Sequence, residues 1–260
     1  NYTLKYEHSP EQYPGHTWDY VSNRTVDLNN KRAVDFTKAL VKKYAAYFNG
    51  KTDIFTIGLD EYANDALKDL NPYLKGEGRE ELSGWQHIVN TGEYAQFIKY
   101  ANELASIVKS ENLRPLAFND GMYYNNITDQ GEFDTDIIVS YWTGGFPGFK
   151  VAPSSYFAKR GHDVLNTNDH WYYVVGRENK NSGWYNLDQG IDGMKKVGFE
   201  NVLKNEGEPV PTIGSMIAAW ADDPERDFVM DNFKKWIQTF ADENADYFKA
   251  DYSKVDEQLA

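Results

Sequence analysis

The sequence predicts an α/β fold of the (β/α)8 TIM-barrel type, on three observations. Five short apolar runs, at residues 53–59, 114–118, 136–141, 162–166 and 212–219, each end in polar or aromatic residues. Amphipathic helical stretches join most of these runs, the order of elements that builds a parallel sheet. The first run, Asp53-Ile54-Phe55-Thr56-Ile57-Gly58-Leu59, stops at two adjacent carboxylates, Asp60 and Glu61. Ionised carboxylates are costly to bury without partners, so an acid pair at the end of an apolar strand needs a reason. In a parallel barrel the C-terminal strand ends open onto the active site, and acids placed there read as catalytic. A helix-capping role would account for one acid and not for the adjacent pair.

Each element follows from local pattern. Residues 1–30 have no sustained period and are rich in Tyr, Pro, Asn and His, which predicts an irregular lead-in with a turn at Pro14-Gly15-His16. Asp27-Leu28-Asn29-Asn30 offers caps for a helix over Lys31–Phe48, with Val34, Leu40, Val41, Tyr44 and Phe48 near one face. Asn49-Gly50 closes it. After the acid pair, residues 62–92 are polar and turn-rich, with Asn71-Pro72 and Gly76-Glu77-Gly78 marking a long loop. Glu93–Glu111 is strongly amphipathic, presenting Tyr94, Phe97, Ile98, Ala101, Leu104, Ala105 and Val108 on one side. The strand Arg114–Phe118 then ends in Asn119-Asp120-Gly121, and Asp136–Tyr141 ends in Trp142-Thr143-Gly144-Gly145. A short helix over Ser154–Arg160 precedes a strand at His162–Asn166 that runs into Asn168-Asp169-His170-Trp171-Tyr172. The last strand, Thr212–Ala219, leads to Trp220-Ala221-Asp222-Asp223-Pro224. A terminal helix from about Glu225 to Phe248 buries Phe228, Phe233, Trp236, Ile237 and Phe240.

Five strands do not close an eight-stranded barrel, and a full one takes about 250 residues or more. Much of this 260-residue chain is loop. Residues 1–260 are therefore expected to form a single catalytic barrel domain, or a fragment of one lacking the first strands, with residues 225–260 as its terminal helical segment. Either the lead-in hides strands or the fold begins upstream; in the second case the flanks of the outer strands are exposed.

Composition narrows the partners. A net charge of −13 and an isoelectric point near 4.8 argue against nucleic acid and against an anionic membrane surface, since both select for clustered Lys and Arg. No run is long and apolar enough to span a bilayer, and no signal peptide is read, so membrane insertion is not expected. The absence of cysteine removes disulfides, thiol nucleophiles and thiolate metal sites, and suits a bacterial secreted or surface protein. The five histidines show no ligand spacing and no HExxH motif, which speaks against a metalloenzyme. The first residue is Asn1, not Met, which reads as a processed product or an excised piece. Aromatic content is high at 15%, and several of the 19 Tyr and 7 Trp lie at the ends of apolar runs, where rings can stack on sugar faces.

Seven blocks carry a family resemblance. Ile57-Gly58-Leu59-Asp60-Glu61, Phe118-Asn119-Asp120-Gly121, Tyr141-Trp142-Thr143-Gly144-Gly145, Asn166-Thr167-Asn168-Asp169, Trp171-Tyr172-Tyr173, Gly183-Trp184-Tyr185-Asn186 and Ala218-Ala219-Trp220-Ala221-Asp222 stand in the order and spacing of glycoside hydrolase family 20. The sequence resembles in particular the surface exo-β-N-acetylhexosaminidases of Gram-positive cocci, over roughly residues 20–248, as the C-terminal two-thirds of their catalytic domain.

The resemblance implies removal of terminal β-linked N-acetylhexosamine, GlcNAc or GalNAc, from glycans by a substrate-assisted retaining mechanism. In such chemistry the substrate's own acetamido oxygen is the nucleophile, so one enzymic carboxylate suffices as acid and base, and neither a metal nor an organic cofactor is expected. Glu61 would be that acid and then the base, with its pKa raised by the site. Asp60 would accept from the acetamido N–H and stabilise the oxazolinium-like intermediate. Tyr172 would donate to the acetamido oxygen. Trp142, Trp184 and Trp220 would wall the acetyl group and the sugar face, and Asp222, Asn119, Asp120 and Trp171 complete the implied substrate-binding set. Asp222 has a second reading, as a cap before Asp223-Pro224, that is nearly as strong. Trp236, mid-helix on an apolar face, reads as core.

Two departures stand out. Many relatives have a Trp near Phe118, so one wall of the acetyl pocket differs. Family members also carry three strands before the segment matching Arg24-Thr25-Val26-Asp27-Leu28, with an arginine for sugar hydroxyls and a Pro-Gly-His motif; Pro14-Gly15-His16 lies too close to Asp60 to be that motif. The alternatives left open are a lacto-N-biosidase using the same chemistry, a catalytically incomplete fragment or sugar-binding module, and a second chain that covers an open barrel edge.

Overall fold

The computed structural model describes residues 6–8, 20–22, 25–65, 84–124, 129–145, 151–175, 187–197, 210–221 and 230–244. The chain divides into two compact units, Asn1–Val164 and Leu165–Ala260. In both, parallel strands alternate with helices, as expected for an α/β fold.

The first unit holds β1 (Tyr6–His8) and β2 (Tyr20–Ser22), a short antiparallel pair inside the stretch expected to be irregular. Helix α1 (Lys31–Phe48) has the predicted limits; Asn30 caps it by accepting from the backbone N–H of Arg32 and Ala33, at 3.1 and 3.3 Å. Gly50 ends the connection with φ +77°, a conformation other residues rarely take. Strand β3 (Ile54–Gly58) runs parallel to β4 (Arg114–Phe118), and β4 parallel to β5 (Ile138–Tyr141). Helices α2 (Gly84–Asn90), α3 (Glu93–Ser110) and α4 (Ser154–Lys159) complete the unit. The chain leaves it through β6 (Val164–Asn166), just after Asp163 O accepts from the Val139 N–H at 2.8 Å.

Two expectations need correcting here. Only part of the apolar face expected for α1 packs inward: Val41 does, whereas Leu40 and Tyr44 do not. The side chains that pack inward are the small or β-branched series Ala33, Thr37, Val41 and Ala45, whereas Phe36, Leu40 and Tyr44 are 58%, 41% and 50% exposed. Close approach of α1 to α3 and β3 favours the small residues, so the larger ones form a neighbouring apolar stripe outside. The loop expected over 62–92 contains α2, whose Trp85 and Ile88 are buried one helical turn apart.

Helix α3 buries every residue expected of it, and its aromatic rings join a cluster. Trp85 packs on Tyr94 and Phe97, and Phe133 on Tyr94, Phe97 and Tyr123. Sheet strands differ in depth. All of β5 is buried, whereas β3 is half-open, with Phe55 and Ile57 resting on Ala45, Val108 and Leu113.

His162 is buried against Tyr123 and Phe157, with Nδ1 2.9 Å from Ile137 O. Burial is the main influence and holds its pKa below the ordinary 6.5, against the Ile137 bond and the carboxylates of Asp134 and Glu132; Arg160 acts with the burial. The unfolded chain then binds the proton more tightly than the folded one, so stability held above pH 6.5 is lost as the pH falls through the depressed value. This loss lowers the thermal midpoint at the acid end of the range pH 7.5 to 5, so His162→Phe should raise the midpoint at pH 5 relative to that at pH 7.5, compared with the unsubstituted chain.

The second unit contains β7 (Tyr172–Val175), α5 (Leu187–Val197), β8 (Gly214–Ser215), β9 (Ala218–Ala221) and α6 (Met230–Glu243). Strand β8 pairs in parallel with β6, and β9 with β7. The single last strand expected over 212–219 is thus two short strands, and β7 and α5 were not foreseen. Trp171, Met194, Trp236 and Phe240 form the core, with Leu187, Ile217 and Phe233 packed on it. Trp236 is core, as expected. Its six-membered ring lies so close to Gly190 that a Cβ there would come within 2.1 Å. No helix among the described residues is long and apolar enough to cross a membrane.

Candidate active site

Beyond β3 the backbone turns through left-handed conformations at Gly58, Leu59 and Glu61, with φ of +72°, +76° and +51°. Leu and Glu rarely adopt such angles, and strain of this kind gathers where surrounding structure holds a functional group. Asp60 is exposed, and Glu61 half-buried. Both line a cavity of about 460 Å³ together with Val26, Phe36, Val41 and Ile57.

Two neighbouring strand ends meet the acids. The Glu61 backbone N–H donates to Asp120 Oδ2 at 2.7 Å, and the Trp142 indole N–H donates to Asp120 Oδ1 at 2.9 Å. Asp120 is 0% exposed. Burial is the main cause that pushes its pKa from the ordinary 3.8 up to about 7; the two N–H donors pull it down, and the negative charges of Asp60 and Glu61 add to the rise. The folded state therefore favours the protonated carboxyl. Its contribution to stability is full below pH 3.8 and lost as the pH rises through about 7.

Asn119 holds the next layer. Its Nδ2 donates to Thr143 O at 2.8 Å, and its Oδ1 accepts from the backbone N–H of Trp142 and Thr143 at 2.8 and 3.3 Å. This buried amide thus fixes where the chain leaves β5 and hence where Trp142 stands. Asn119→Ala leaves three polar backbone groups without these bonds and should cost about 1–3 kcal/mol. The midpoint of thermal unfolding, followed by circular dichroism, reports that loss.

The expected sugar contacts therefore separate. Asp60, Glu61 and Trp142 are accessible, and Asp120 ties the last two together. Asn119 and Asp120, expected in the substrate-binding set, are fully enclosed and direct their polar atoms to protein groups. Trp171, also expected at the sugar, is 1% exposed in the core beside Phe240, because the 3-10 turn Asp169–Trp171 points it inward. Tyr172 opens β7 opposite Ala218, and Trp220 lies in β9 opposite Val174. The side chains of Tyr172 and Trp220, like all of Trp184, Asp222 and Pro14-Gly15-His16, lie outside the described residues.

Tyr94 is a site-supporting residue that the sequence did not announce. The Tyr94 hydroxyl donates to Gly121 O at 2.8 Å and accepts from the Tyr124 N–H at 3.0 Å, pinning the turn that carries Asp120. A tyrosine on the apolar face of a helix carries no outward sign of that task. Among the described residues no group of three His, Asp or Glu is placed to hold a metal ion.

No protein-family model matches the sequence. Among solved structures, one of the pneumococcal virulence factor StrH, concerned with N-glycan recognition and hydrolysis, is 38% identical, with a TM-score of 0.78 over 95% of this chain and 56% of that one. A structure concerned with the tandem family 20 catalytic modules of the pneumococcal exo-β-D-N-acetylglucosaminidase StrH gives 39% identity and 0.78 over 95% and 57%. Dispersin B, at 17% identity and a TM-score of 0.57 over 84% of this chain and 60% of that one, shares the fold. The class that the comparisons define is an α/β protein with the fold of glycoside hydrolase family 20 structures. More particularly, the chain is a relative of the glycoside hydrolase family 20 β-N-acetylglucosaminidases. It spans little more than half the length of the StrH chains it matches.

Proposed function

We propose that this chain carries the acid machinery of an exo-acting β-N-acetylhexosaminidase, secreted or on a bacterial cell surface, that releases terminal GlcNAc or GalNAc from glycans. The observation that carries the reading is Glu61: an accessible acid at the end of a parallel strand, in a strained backbone conformation, held by a buried carboxyl that also holds Trp142. Sequence identity near 38% to StrH supports it.

In the proposed reaction the acetamido oxygen attacks C1 while Glu61 gives its proton to the leaving oxygen as the C1–O bond breaks. Asp60 accepts from the acetamido N–H and offsets the positive charge of the oxazolinium intermediate. Glu61, now a carboxylate, takes a proton from the water that attacks C1, and the β configuration is retained. Tyr172 as donor to the acetamido oxygen, Trp142, Trp184 and Trp220 as walls, and Asp222 as a hydroxyl ligand rest on the family resemblance. In architecture the chain is proposed to be a (β/α)8 barrel without its first strands.

Incubation of the 260-residue chain with a chromogenic β-GlcNAc glycoside tests the reading. Release of the chromophore supports the enzyme; a folded chain that releases none would favour the incomplete fragment or sugar-binding module. A lacto-N-biose-terminated glycan separates the two enzymes: its terminal sugar is a galactose, so an exo-acting hexosaminidase releases nothing from it, whereas a lacto-N-biosidase releases the disaccharide.

The partner proposed for the outer side of β3 is a polypeptide matching the part of the StrH module that this chain does not span. The exposed Phe36, Leu40 and Tyr44 stripe beside that strand supports this, since apolar surface of this kind is a common mark of interaction. A Leu40→Lys, Tyr44→Lys variant should show less concentration-dependent self-association in sedimentation, and lower affinity for that polypeptide if it is added.

A further inference from the structure

We propose that Asp120 is a positioning residue whose buried carboxyl clamps Glu61 and Trp142 together, so that its ionisation is felt at both. The proposal rests on the reading of Glu61 as the acid. One carboxyl spans two distant pieces of chain: Oδ2 takes the backbone N–H of Glu61, 59 residues away, and Oδ1 the indole N–H of Trp142, 22 residues away. The bond to Glu61, at 2.7 Å, is at the short end for an N–H donor, and that to Trp142, at 2.9 Å, is of ordinary length. At 0% exposure the group offers nothing to a sugar, which separates it from the ligand role that its place at a strand end suggested.

The clamp acts where strain must be held. Glu61 sits at φ +51°, and the bond from its own N–H fixes the peptide that orients its side chain. Trp142 is held twice, through its indole by Asp120 and through its backbone N–H by Asn119. The acid and the aromatic wall are therefore set by adjacent residues of one strand end. The groups around Asp120 from β4 and β5, Asn119, Trp142 and Thr143, are neutral; the charged groups acting on it are Asp60 and Glu61, from the segment after β3. When Asp120 ionises, both N–H bonds become charge-assisted and strengthen, and its charge disfavours a second charge on Glu61. Ionised Asp120 thus tightens the clamp and favours the protonated Glu61 that the first step needs.

The test is a pH series from 5 to 9 on the 15N-labelled chain, following the Glu61 amide and the Trp142 indole resonances by NMR. Both should move with one shared midpoint near pH 7, the value to which burial and neighbours push Asp120. In Asp120→Asn the shared movement should vanish. Trp142→Phe keeps an aromatic ring, smaller than the indole, but removes one donor, and should move the Glu61 amide midpoint upward by about one pH unit; it serves should Asp120→Asn fail to fold. Glu61→Gln, which removes a neighbouring charge, should move the Trp142 midpoint downward. Resonances that titrate separately, or that keep their shared movement in Asp120→Asn, would overturn the clamp. Because none of these readouts needs turnover, a chain inactive on the chromogenic glycoside with a shared midpoint would sink the catalytic reading and leave the clamp standing.

Discussion

Glu61→Gln should lower kcat by about 10²–10⁴-fold on a glycan while leaving the circular dichroism spectrum unchanged. The amide fills the space of the carboxyl and can neither give nor take the proton. The size of the loss should depend on the leaving group. A nitrophenolate departs without help, so the first step on an aryl glycoside suffers little, whereas a sugar alkoxide needs the proton and suffers fully. Asp60→Asn behaves differently in this account, because Asp60 acts on the acetamido group and not on the leaving oxygen. Its loss should be of similar size on both substrates. Kinetics on an aryl and an oligosaccharide substrate for the two variants therefore separate the roles of two acids that are neighbours in sequence.

Gly121→Ala should be among the most damaging single changes to stability in the first unit. A Cβ at this position would lie 2.0 Å from Trp85 Cη2 and 2.4 Å from Cζ2, well inside contact distance. Trp85 has little room to yield, because it is buried among Tyr94, Phe97 and Tyr124. Overpacking of a tight core costs typically about 1–3 kcal/mol and occasionally more, and a rigid indole as the obstacle places this case at or above the upper end. The change also pushes on the turn held by Tyr94 and carrying Asp120. Thermal unfolding should show a midpoint lower by about 6–12 °C, taking about 2–4 °C per kcal/mol for a chain of this size. Activity should fall further than the folded fraction alone explains.

Much of this architecture was legible. The limits of α1 and β4 follow from caps, turn residues and apolar period, and the buried face of α3 from its i, i+3, i+4 pattern alone. The acid pair announced itself because Asp60-Glu61 breaks an apolar run. The parts that were not legible share a physical cause, which is that pattern reports apolarity and not which apolar surface is covered. The stripe of Phe36, Leu40 and Tyr44 is as apolar as a core face, yet the side chains that pack inward are the smaller Ala33, Thr37, Val41 and Ala45. Asn119 and Asp120 look like ligands by residue type and strand-end position, but whether a polar side chain faces a cleft or the protein is decided by neighbours far away in sequence, here Glu61, Trp142 and Thr143. Trp171 follows the same logic, since one 3-10 turn decides between pocket and core.

The most direct measurement is a pair of initial rates for the 260-residue chain, on a chromogenic β-GlcNAc glycoside and on the matching β-glucoside, in which the acetamido group is replaced by a hydroxyl. Substrate-assisted catalysis by Asp60 and Glu61 predicts release from the first and none above background from the second, because the glucoside carries no nucleophile. Comparable release from both, or none from either by a chain that is folded by circular dichroism, would contradict the account.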